Sequence, residues 1–138
     1  MVTHLLSGLV LVASGGYFIW LTVFVFAKPV VAERFFRNFA SSARTHFVEQ
    51  VLRALFGGSL VIYSAAMWQA AIFRAIGWVV LVSSVGLVLI PWQWHHRFAK
   101  RVLPIFIRYM RLYAISAFVF GIIILYAIIA PQLKRAVF

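Results

Sequence analysis

The side chains of this chain that could do chemistry are few: four histidines (His4, His46, His95 and His96) and two carboxylates (Glu33 and Glu49). There is no cysteine, which excludes disulfides, thiolate metal sites and cysteine nucleophiles. His95 and His96 are adjacent, so on a helix they diverge by about 100° and lack the i, i+4 spacing of a helical metal site. His46 meeting one of them from another element could bind a metal or a haem. Thr45, His46 and Glu49 include the residue types of a nucleophile, a base and its orienting acid, but Thr45 and His46 are neighbours and point apart. The expectation is therefore histidines at the membrane surface, no catalytic site, no metal and no cofactor.

The elements that must carry these residues are dominated by apolar sequence. The chain has 138 residues, 65% hydrophobic and 11% charged, with a mean hydropathy of +1.03, against roughly 45–50% apolar and 25% charged in soluble domains. Between Arg53 and Trp94 about forty residues contain one formal charge, Arg74, enough for two crossings of about twenty residues each. Leu5 to Ala27 and Leu112 to Ala130 are two more apolar runs. The fold class expected is an all-α integral membrane protein with four transmembrane helices and amphipathic cytoplasmic segments, forming one membrane domain over 1–138. The first run reads as a retained span rather than a cleaved signal peptide, because no Lys or Arg precedes Leu5 and the apolar run continues to Ala27.

Ten of the thirteen Lys and Arg residues lie in two segments, Lys28 to Arg53 and Arg97 to Arg111, while Arg74, Lys134 and Arg135 lie on the opposite side of the spans. The positive-inside rule then puts both basic segments in the cytoplasm and both termini outside. Arg34, Arg37, Arg44, Arg97, Lys100 and Arg101 are the candidate contacts to lipid or to a partner. Topology and attraction to anionic headgroups account for the net charge of +11 without a nucleic-acid partner. Trp68, Trp92, Trp94 and Tyr113 fall at expected membrane boundaries.

The first basic segment places Val31, Phe35, Phe39, Ala43 and Phe47 every four residues, the period of a helix lying in the headgroup plane or packing on the spans. A shift of sixty-three residues brings Arg34 onto Arg97, Phe35 onto Phe98, Arg37 onto Lys100, Ala54 onto Ala117, Gly58 onto Gly121 and Tyr63 onto Tyr126. This predicts a tandem duplication, with repeat one over about 1–68 and repeat two over about 69–138, related by an axis along the membrane normal. Pro104 stands where the first copy has Ser41, so a break is expected there, with the last helix beginning near it. Ala54 with Gly58 and Ala117 with Gly121 are the candidate helix-packing pairs, since small residues let backbones approach closely in lipid.

From Arg74 to Tyr126 the chain resembles the YjeT-type family of short bacterial membrane proteins of unknown function. The adjacent Pro91 and Trp92, Gly121, and the closing Leu125 and Tyr126 carry the match. The resemblance implies a bacterial inner-membrane protein and supplies no activity. No acid lies inside a span, which disfavours proton-coupled transport. The polar span residues Gln69, Ser59, Ser64, Ser83 and Ser84 are of the kind that bond their own or a neighbouring helix. The function expected is a non-catalytic accessory or assembly subunit, bound to anionic lipid and to other membrane subunits or itself. The alternative is a small channel or transporter on the pseudo-twofold axis.

Overall fold

The computed structural model of the chain describes residues 1–39 and 41–137. Among the described residues, six α-helices run in order: α1 (Val2–Ala27), α2 (Pro29–Phe39), α3 (Ala43–Tyr63), α4 (Ala70–Leu89), α5 (Trp92–Arg108) and α6 (Met110–Val137). Prolines set two of the boundaries. A residue preceding proline is pushed out of the helical region, and Lys28 (φ −137°, ψ 64°) and Ile90 (φ −77°, ψ 129°) end α1 and α4 in that way. Pro29 then opens α2, where its missing N–H costs nothing. Ser42 caps α3, its Oγ accepting from the Arg44 N–H at 3.2 Å. Between α3 and α4 the chain turns through a 3₁₀ turn, Ser64–Ala66, and through Gln69, which takes a left-handed conformation at φ 57°.

The helices pack as two antiparallel pairs, α1 with α6 and α3 with α4, joined through contacts between α1 and α3. Each pair closes where glycine meets glycine. A Cβ on Gly77 would fall 2.8 Å from the Gly57 carbonyl oxygen, and one on Gly121 would fall 2.8 Å from that of Gly15. Phe18, Phe56 and Phe120 bring α1, α3 and α6 together, with ring centroids 5.7–6.3 Å apart, the spacing of edge-to-face and offset aromatic pairs. Directed polar contacts add to this packing. Thr22 Oγ1 of α1 donates to the Ala114 carbonyl of α6 at 2.7 Å, and the Trp68 N–H donates to the Ala127 carbonyl at 2.8 Å.

Three helices, α1, α4 and α6, are long and apolar enough to cross a membrane. The fourth expected span, α3, does not meet that standard. Its first half carries Arg44, Glu49, Gln50 and Arg53, and only its second half, Ala54 to Tyr63, is free of charge. Large apolar side chains such as Trp20, Trp78, Val79 and Val82 point outward. Ser83 and Ser84 donate to carbonyls of their own helix, and Ser64, in the turn that follows α3, donates to the Val61 carbonyl of α3.

Two expectations about the basic segments change. The first segment is not one helix: α2 ends at Phe39 and α3 starts at Ala43, so the four-residue stripe is interrupted. The packed line of α2 is Ala32 and Phe36, which join Val25, Met110 and Ala114 in a small core, while Val31 and Phe35 are exposed. In the second segment α5 continues through Pro104, and the break comes at Tyr109. A proline at 104 deprives the Lys100 carbonyl of its helical donor, and Lys100 is exposed.

Candidate functional site

α1, α2, α3 and α5 surround a cleft of about 840 Å³. Its walls are apolar. α5 turns Phe98, Val102 and Phe106 toward it at successive helical turns, facing Leu52 and Phe56 of α3 and Phe39 of α2. This arrangement follows from the local sequence. Pro29 and Pro91 turn the chain at the same end of the bundle, and the two amphipathic helices that follow meet there, Phe36 against Phe106 with ring centroids 5.1 Å apart. Part of each apolar face turns inward, Ala32 and Phe36 on α2 and Phe106 on α5, while Val31, Phe35, Trp94 and Ile105 stay exposed with the basic residues. Arg34, Arg37, Arg44, Arg97, Lys100 and Arg101 are all exposed. Arg37 is held by Glu33, with Nε and Nη2 donating to Oε1 at 3.0 and 2.9 Å, so its charge is partly spent locally.

The polar part of the cleft is made by His46, Glu49 and Arg53 of α3 and His95 of α5. The His46 and His95 rings are tilted against each other with centroids 3.8 Å apart. One ligand atom from each of His46, Glu49 and His95 lies within 4.8 Å of the other two. Trp92 borders the group, its ring 5.9 Å from His46 and 5.0 Å from His96. Burial lowers the pKa of His95, and the adjacent His46 and Arg53 lower it further against the opposing effect of Glu49. Arg53 lies 3.7 Å from Glu49 and also donates to Ser83 Oγ of α4 at 3.2 Å. Among the described residues, Nδ1 of His46 and both amide atoms of Gln50 are buried without a hydrogen-bond partner, and Gln50 is 1% exposed.

The structure places the expected packing residues unevenly. Gly121 is buried against Gly15 and Phe18, whereas the Gly58 face is nearly open, with Leu81 Cδ2 at 4.0 Å as the one near atom. Gly57, one residue and about 100° away, is the glycine that α4 packs on. Ala54 and Ala117 are half-buried. The close approaches pair α3 with α4 and α1 with α6. His4 sits at the other end of the bundle, its ring 4.5 Å from Tyr63.

The histidine cluster is the feature that sequence reasoning discounted. The i, i+3 relation of His46 and Glu49 is a usable signal, since it puts both on one helix face. Their meeting with His95 depends on how α5 folds back over α3. No family model, curated protein or solved structure matches the chain.

Proposed function

We propose that this protein is a non-catalytic accessory or assembly subunit of a larger membrane complex, seated on anionic lipid by α2 and α5 and holding a lipid acyl chain in the cleft between α1, α3 and α5. The observation that carries this is the cleft itself, apolar along its walls and bordered by two amphipathic helices whose arginines and lysines face outward. A polar passage would favour a channel; these walls favour an acyl chain.

In this proposal α3 is a fourth crossing, with Arg44, Glu49 and Arg53 near the headgroups and the apolar half from Ala54 to Tyr63 deeper in the bilayer. The duplication then relates α1–α2–α3 to α4–α5–α6. Support comes from the two proline-ended helices, from the short amphipathic helix after each, and from the two glycine crossings, one in each antiparallel pair. The ten-to-three distribution of cations supports a cytoplasmic side for the α2 and α5 end. The resemblance to the YjeT-type family adds a bacterial inner membrane. Partner subunits would approach at Gly16 and Gly86, where a Cβ meets nothing within 4 Å among the described residues, so the helix backbones stay accessible from outside.

Extraction in polymer-bounded native nanodiscs tests the proposal, with both lipid and protein content analysed. The expected result is enrichment of anionic lipid over the bulk membrane together with stoichiometric partner subunits. Recovery of the protein alone, in lipid of bulk composition, would remove both parts.

A further inference from the structure

We propose that His46, Glu49 and His95 form a binding site for a divalent transition-metal ion that fastens α5 to α3. Two imidazoles and one carboxylate are the donor set that suits Zn²⁺ and its first-row neighbours, with a remaining position for water or an exchangeable ligand. The three donor atoms lie within 4.8 Å of one another. Tetrahedral zinc, with bonds of about 2.0–2.1 Å, brings neighbouring ligand atoms to about 3.4 Å, so ion binding would draw the three donors inward.

Two observations point to a ligand. Nδ1 of His46 is buried and accepts or donates no hydrogen bond among the described residues, a state that leaves its desolvation uncompensated. The His46 and His95 rings also meet from separate helices with centroids 3.8 Å apart, so α3 and α5 bring both imidazoles to one point. Gln50, one turn beyond His46, is fully buried with its amide unpartnered. It is a polar group on the same helix face as the ligating histidine, where metal sites place their outer hydrogen-bonding residues.

Arg53 is the competing cation. It lies 3.7 Å from Glu49 but has a second acceptor in Ser83, so it can yield Glu49 to the metal. The consequence is mechanical. α5 makes few close backbone approaches to the rest of the bundle, and a metal bridging α3 and α5 would hold the basic face of α5 in place. This inference is independent of the cleft's occupant.

The test uses full-length protein without a polyhistidine tag, stripped with chelator in detergent and titrated with Zn²⁺ by calorimetry and with Co²⁺ by visible absorption. The expected result is one ion per chain, with intense cobalt bands of low-symmetry coordination. His46→Ala and His95→Ala should each weaken Zn²⁺ binding at least about tenfold, Arg53→Gln should tighten it, and His4→Ala and His96→Ala should leave it unchanged. Circular dichroism of each metal-free variant establishes that helix content is retained. Absence of stoichiometric binding by the wild type, or equal binding by folded His46→Ala and His95→Ala variants, would overturn the site.

Discussion

The α-carbon of Gly77 faces the carbonyl oxygen of Gly57 so closely that an added Cβ would lie 2.8 Å from it, with Leu60 Cβ and Val61 Cγ2 both at 2.9 Å. None of these atoms is the free end of a long side chain, so the helices themselves would have to part. In lipid no hydrophobic gain offsets that separation, because tails and apolar side chains are equivalent surroundings.

Gly77→Ala and Gly121→Ala should therefore destabilise the protein by about 1–3 kcal/mol, read as a lower unfolding temperature in detergent. Gly58→Ala should be neutral or stabilising, by up to about 1 kcal/mol, since alanine favours the helix and its Cβ meets nothing closer than 4.0 Å. Equal losses at 58 and 77 would contradict the observed crossing.

How much of this was legible in the sequence differs by element. The ends of α1 and α4 are readable because Pro29 and Pro91 act on the residue before them, a local effect. The choice between Gly57 and Gly58 is not, since adjacent glycines satisfy the same spacing and only Gly77 on the partner helix separates them. Charge made α3 look like the end of a basic segment followed by a span, and the helix in fact runs unbroken from Ala43 to Tyr63 through both. The His46 and His95 contact was visible only as a possibility, because it depends on the direction in which α5 leaves Pro91.

The exposed cations should not contribute equally to lipid binding. Arg34→Gln, Arg44→Gln and Lys100→Gln should each weaken binding to anionic vesicles by up to about 1 kcal/mol, less at high salt. Arg37→Gln should cost less, because Glu33 already holds that guanidinium. Flotation assays on vesicles of graded anionic content measure this; a loss at Arg37 as large as at Arg34 would contradict the role given to the ion pair.

Orientation has a direct assay. Single cysteines at Ser41 and Gln132 should label from opposite faces, with Ser41 protected in intact cells and Gln132 reactive. Labelling of both from outside would end the proposed topology and move α2 and α5 away from cytoplasmic lipid.

The central claim is that the cleft holds an acyl chain beneath a basic surface, and native mass spectrometry of protein released from bilayers of equal anionic and zwitterionic phospholipid tests it most directly. The account predicts one retained lipid per chain, predominantly anionic, and its loss in Ala99→Trp, where the indole would occupy the cleft that Ala99 lines. Release of wild-type protein free of lipid, or equal retention of both lipid classes by wild type and Ala99→Trp, would contradict it.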